Sequence, residues 1–131
     1  MIRSNILCLL MLAMAFTAFA QTHKIDSIRK VIELSEEDSV KADALNDLSW
    51  ELNDEGNYIE AIEAASEAKE ISEKVGFIRG VGSAYSNLGI VYYSQSNYPR
   101  ALDYHFKSLK IMESIGNKNG MGVSYNNIGN V

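Results

Sequence analysis

The chain has 131 residues, 47% of them hydrophobic, with 12 Lys and Arg against 17 Asp and Glu. That length holds one modest domain, and the composition is that of a globular or helical chain, not a disordered one. The net charge of −5 leaves no basic stripe to neutralise phosphate, which argues against nucleic acid and equally against anionic lipid headgroups.

Residues 1–20 read as a secretory signal peptide. Arg3 supplies a short basic start, Ile6 to Phe19 is an uncharged apolar run, and Ala18-Phe19-Ala20 is a small-x-small cleavage site before Gln21. The run is shorter than the roughly 20 apolar residues of a membrane-spanning helix. Cleavage after Ala20 is expected, giving an exported product that is periplasmic or secreted, or the extracytoplasmic part of an inner-membrane protein. Cys8, the only cysteine, lies inside the apolar run and far from the small residues, so it is misplaced for lipoprotein acylation. A mature chain without cysteine is compatible with an oxidising compartment.

Residues 21–40 predict a leading amphipathic helix and a linker. Ile25, Ile28, Val31 and Ile32 recur at helical spacing, and Leu34 to Ser39 separate them from the rest of the chain. This helix is expected to cap the first unit of the array. The acidic run Glu36-Glu37-Asp38 lacks the spaced oxygen ligands and central Gly of a calcium loop, and reads as a solvated helix entry.

From Lys41 onward a pattern recurs every forty residues, in units over 41–80 and 81–120 and the start of a third over 121–131. Ala44/Ala84, Leu48/Leu88, Asn57/Asn97, Tyr58/Tyr98, Ala61/Ala101, Ile71/Ile111, Gly76/Gly116 and Gly80/Gly120 are identical. Gly82/Gly122, Tyr85/Tyr125, Asn87/Asn127, Gly89/Gly129 and Val91/Val131 open the third unit. A fixed period of this size points to a stacked array. Each unit predicts two helices. Val81, Ala84, Tyr85, Leu88, Val91 and Tyr92 share one face of a helix over Val81–Ser94. Asn97 is placed to cap the next helix, with Pro99 in its first turn, and Gly116 follows it where a left-handed residue is wanted. Asn57 and Gly76 punctuate the preceding unit in the same way. No stretch sustains a period-two alternation, so the fold is expected to be all-α.

Ser49, Gly89 and Gly129 share one position of the first helix, and Ala61 and Ala101 share one of the second. Two helices that cross closely need small residues where their axes meet. Tyr85-x-x-Leu88-Gly89-x-x-Tyr92 with Ala101-x-x-x-His105 resembles the tetratricopeptide repeat signature, with Tyr85 for Trp and His105 for Phe. Leu45, Leu48, Ser49, Leu52, Ala61 and Ala65 follow it more loosely, and Tyr125, Ile128 and Gly129 begin another. The period is forty residues where the family's usual unit is about 34. It resembles a lengthened variety whose second helix gains extra turns. The resemblance implies a right-handed α-solenoid of antiparallel helix pairs. It makes Leu48, Ala61, Tyr85, Leu88, Gly89, Tyr92, Ala101 and Gly129 the residues that pack the repeats.

Catalytic chemistry has little support. The mature chain has His23 and His105 and no metal-ligand spacing. Gly80 and Gly82 read as helix-junction glycines, and His105 as a packed core imidazole. No enzyme, metal or cofactor is expected.

The resemblance instead implies a concave surface lined by the first helices that holds a protein or peptide. Carried over by position, its residues are Asp43, Asn46, Trp50, Asn53 and Asp54; then Ser83, Ser86, Ile90, Tyr93 and Ser94; then Val123, Asn126 and Asn130. Trp50 and Tyr93 are the candidate anchors, and Trp50 has an equal claim as a cover over the junction with the leading helix. One subclass of the family grips a peptide's terminal carboxylate with Lys and Arg. Asn46, Val123 and Asn127 stand where those bases belong and only Asn87 fits, so that grip is not implied. Asn87 and Asn127 suggest hydrogen bonds between neighbouring first helices. Val131 falls inside a first helix, which reads as the N-terminal fragment of a longer protein. Leader and array together are similar to the sensory front ends of bacterial membrane sensor histidine kinases, and a membrane role is expected only through a following region.

Overall fold

The computed structural model describes Ala20 and residues 22–131. The signal-peptide reading otherwise lies outside the described residues. Helix α1 covers 22–34. It is followed by α2 (Ser39–Asp54), α3 (Tyr58–Lys74), α4 (Ile78–Ser94), α5 (Tyr98–Ser114) and α6 (Lys118–Asn130). No strand occurs among the described residues. From α2 to α6 each helix packs on the next in sequence, and α2, α4 and α6 also touch one another in turn. This is an all-α solenoid of helix pairs.

The helices are cut to length by one turn used four times. Gly56, Gly76, Ser96 and Gly116 have φ of 79°, 71°, 60° and 64°. At each, the left-handed residue donates to the carbonyl three back, as Gly116 N–H does to Glu113. The next residue donates to the carbonyl five back, as Asn117 N–H does to Met112. These bonds satisfy the carbonyls that a helix end leaves open. The next helix starts at once, capped at Asn97 and Asn117 by side chains accepting from Arg100 N–H and Gly120 N–H. Asn57 holds the same place but makes no cap bond; its amide donates to Glu60 instead. Asp38, from the acidic run, caps α2 by accepting from Val40 N–H and Lys41 N–H.

Small residues set the spacing between helices. Ala61, Ala65 and Ala68 of α3 are fully buried against Leu45, Leu48 and Leu52 of α2 and Ala84 and Val91 of α4. Ser49 occupies the close crossing of α2 and α3 and donates to the Ala61 carbonyl at 2.8 Å. At the same position of α4 stands Gly89, where a methyl would lie 2.5 Å from the His105 ring. α1 joins this core through Ile25, with Ile28 and Ile32 beside it. Lys24–Glu51 at 2.6 Å and Arg29–Glu60 at 2.7 Å tie α1 to α2 and α3.

Four expectations change. α4 begins at Ile78, three residues before Val81, because its cap is Phe77. Gly80 and Gly82 therefore lie inside α4, where a methyl would strike Phe77 and Ser72, or Met112. The second helix of the unit is no longer than the first, since α4 and α5 both have 17 residues. Val31 turns away from the α1 core face and is 44% exposed.

Candidate functional site

The three first helices present one continuous groove. Trp50 of α2, Ile90 and Tyr93 of α4 and Val123 of α6 converge on a hollow of about 260 Å³, with Asn127 and Asn130 at its edge and His105 of α5 behind it. A larger hollow of about 520 Å³ adjoins it, lined among others by Trp50, Arg79, Ser83, Ser86, Asn87 and Val123. A third of about 290 Å³ is bounded by Asp43, Asn46, Asp47, Trp50 and Arg79. Trp50 borders all three and is 52% exposed. It therefore faces the groove and does not sit with Ile25 and Ile28 over the α1 junction.

Asparagines set the pitch of the groove. Asn46, nearly buried, donates to the Gly80 carbonyl at 3.3 Å. Asn87 donates to the Asn46 backbone carbonyl at 2.8 Å, and Asn127 donates to Ser86 Oγ at 3.3 Å. These are the bonds between neighbouring first helices that the recurrence of Asn87 and Asn127 suggests. Of the candidate groove residues, Asn46, Trp50, Ser86, Ile90, Tyr93 and Asn130 line the hollows. Asn53 and Asn126 do not. Asn53 is half-buried with its Oδ1 unpartnered among the described residues. Asn126 is exposed away from the hollows.

Among the lining residues that the sequence reading does not contain are Arg79 and Asp47. Arg79 stands one helical turn before Ser83 on the face that continues through Ser86 and Ile90, and a helix taken to start at Val81 leaves it out. It pairs with Asp43 at 3.2 Å and lies 5.2 Å from the centre of the Phe77 ring. Asp47 follows Asp43 by one turn in the same way. Partial desolvation, then the charge of Asp43, pushes its carboxyl above the usual range, with Lys24 pulling the other way. The groove thus offers amides, hydroxyls and apolar rings, with the Arg79–Asp43 pair and the carboxyl of Asp47 at one end.

Behind the groove the helix pairs close on the expected packing residues. Leu48, Ala61, Leu88 and Ala101 are buried. Tyr85 and Tyr92 flank Tyr104, with ring centres 6.1 Å and 5.5 Å away. Of these expected packing residues Gly129 differs: a methyl added there would meet nothing within 4 Å among the described residues. His105 is 2% exposed, its Nδ1 has no partner among the described residues, and burial pushes its pKa down by disfavouring the charged ring. Among the described residues, no group of three or more His, Cys, Asp or Glu is placed to hold a metal. No described helix is long and apolar enough to cross a membrane.

No curated protein matches the chain. A family model described as tetratricopeptide repeat matches residues 81–115, which are most of the α4–α5 pair. With that match at its centre and the same pairing continued on both sides, the chain is similar to a tetratricopeptide repeat array.

Proposed function

We propose that the chain is a non-catalytic protein-interaction module that holds a peptide or helix of another protein in the groove over α2, α4 and α6. One observation carries this reading: Trp50, Ile90, Tyr93 and Val123, from three successive first helices, meet around a single hollow. Large aromatics in such places dominate contact energy. The neutral amides around them favour a partner held by apolar anchors and hydrogen bonds, with little pull on anions. A photo-crosslinker at Ser86 in the native host should capture the partner, and titration calorimetry should then measure it. Trp50→Ala and Tyr93→Ala should each weaken binding by about 2 kcal/mol or more, while Lys118→Ala changes nothing. Two folded variants that bind as tightly as wild type would remove the groove from consideration.

The apolar run before Ala18-Phe19-Ala20 supports an extracytoplasmic setting for this module. A second reading, the sensory region of a membrane-bound sensor histidine kinase, rests on the likeness of leader and array to such front ends. It requires a membrane span and a phospho-acceptor histidine in coding sequence beyond Val131. Mass spectrometry of the mature N-terminus, expected at Gln21, tests export. Sequencing past Val131 tests the kinase.

A further inference from the structure

The hollow at the α2 end of the groove holds a charge that nothing else in it balances. It measures about 290 Å³, lies between α2 and α4, and is lined by three charged side chains, Asp43, Asp47 and Arg79. Asp43 and Arg79 pair at 3.2 Å and cancel. Asp47 has no hydrogen bond and no ion pair among the described residues. Lys24, the cation that acts on it, is bonded to Glu51 at 2.6 Å. Partial desolvation and the neighbouring Asp43 both disfavour the charged form of Asp47. A carboxylate in that state gains more from an added cation than a solvated or paired one does.

The uncharged groups point to the same kind of guest. Asn46 uses an amide N–H on the Gly80 carbonyl, and Asn87 donates to the backbone and side-chain oxygens of Asn46. What the hollow keeps for a guest is oxygen: the Asp47 carboxylate, the Asn87 amide oxygen and the Ser83 hydroxyl. A lysine ammonium or an arginine guanidinium carries donors only, and so matches such a set. Trp50 completes it. Its ring stands one turn after Asp47 on the same face of α2 and is 52% exposed. It borders both this hollow and the apolar one of Ile90, Tyr93 and Val123. Among aromatic rings, indole attracts a cation most strongly.

We propose that the segment held in the groove carries a lysine or arginine whose charged end lies between the Asp47 carboxylate and the Trp50 ring. A large apolar side chain beside it fills the hollow beyond Trp50. This rests on the groove reading above, and adds the partner's charge and its direction: basic side over α2, apolar side toward α6. An acidic segment would meet the Asp47 carboxylate with no free cation beside it, since Arg79 is already paired.

The probe is a phage-displayed library of random linear peptides selected on the purified chain, with synthetic copies of the selected peptides then titrated by fluorescence anisotropy. Peptides that lose binding to Tyr93→Ala should share a Lys or Arg beside a large apolar residue. Replacing that basic residue by Gln should weaken binding to the wild-type chain at least about tenfold. The same replacement should hardly matter to Asp47→Asn, where the interaction is already gone. Added salt should likewise weaken the wild-type complex more than the Asp47→Asn complex. Asp47 is exposed and has no bond to lose, so Asp47→Asn keeps the fold, which circular dichroism checks. Glu63→Gln, which removes an exposed acid from α3, should bind as wild type does. Groove-dependent peptides without a basic residue overturn the proposal and leave the groove standing. So does a basic residue whose loss costs the same in wild type and Asp47→Asn, or an equal weakening by Glu63→Gln, which would reduce the effect to net charge. A library with no binder that depends on Trp50 or Tyr93 removes the groove and this inference together.

Discussion

Gly89 and Gly122 lie on corresponding faces of consecutive first helices, yet the same substitution should act on them in opposite directions. At Gly89 an added methyl falls 2.5 Å from a ring that is itself buried and cannot retreat. Gly89→Ala should cost about 1–3 kcal/mol by overpacking, more than the helix propensity it gains. At Gly122 nothing lies within 4 Å, so Gly122→Ala should stabilise the dilute chain by roughly 0.5–1 kcal/mol through propensity alone. Thermal melts of the two variants decide, and equal effects would contradict the register of α4 on α5. The ring itself supplies a pH signature. Burial lowers the His105 pKa in the folded chain, so only the unfolded chain gains a proton there as pH falls through about 6.5. Its contribution is therefore complete above that value and declines below it. His105→Phe, the residue the repeat signature prefers, should flatten the melting temperature between about pH 7 and pH 5.5. An unchanged slope would mean that the imidazole titrates alike in the folded and unfolded chain.

At the scale of helices, the forty-residue period was legible because first helices repeat each other's side chains, as Leu48/Leu88 and Asn87/Asn127 do. What the sequence concealed is that α3, α4, α5 and α6 begin at residues 58, 78, 98 and 118, one every twenty residues. First and second helices pack different faces and share no side-chain pattern, so only the turns between them betray the half-period. Those turns are written unevenly, with Ser96 for Gly and Phe77 for Asn. Late placement of the α4 start then hid Arg79 and made Gly80 and Gly82 look like junction residues. Trp50 needed coordinates for another reason: both faces open to it satisfy an amphipathic pattern, and only the position of α1 chooses between them. The unevenness of the turns also bears on stability. Ser96 is the one described non-glycine residue with positive φ, in a turn otherwise identical to those at Gly56, Gly76 and Gly116. A side chain there opposes the left-handed backbone by roughly 1–2 kcal/mol, part of which glycine's greater freedom in the unfolded chain offsets. Ser96→Gly should stabilise the chain by about 0.5–1 kcal/mol and Gly116→Ala should destabilise it by a similar amount. A Ser96→Gly chain that melts lower than wild type would mean that the hydroxyl holds the turn.

Across the whole molecule, stability should fall away toward α6. An array holds each helix mainly through its immediate neighbours, so an element with one strong neighbour is the first to open. α4 lies between α3 and α5 and touches both other first helices, while α6 rests chiefly on α5 and has only weak contact with α4. Among α6 residues Ser124 alone is buried, sharing a 3.3 Å hydrogen bond with Ser108 of α5. At the other end α1 is better held, because Ile25 enters the core and Lys24 and Arg29 reach two different helices. Amide exchange in the dilute chain should therefore be slowest in α3 and α4, faster in α5 and fastest in α6. This matters for the groove as well, since Val123, Asn127 and Asn130 form its α6 wall. A partner that fills the hollow between Trp50 and Val123 must order that wall, so its binding should slow exchange in α6 more than in α4. Uniform protection in the dilute chain would show that α6 is held by more than α5. Protection on binding that stops at α4 would confine the partner to the stretch between Trp50 and Tyr93.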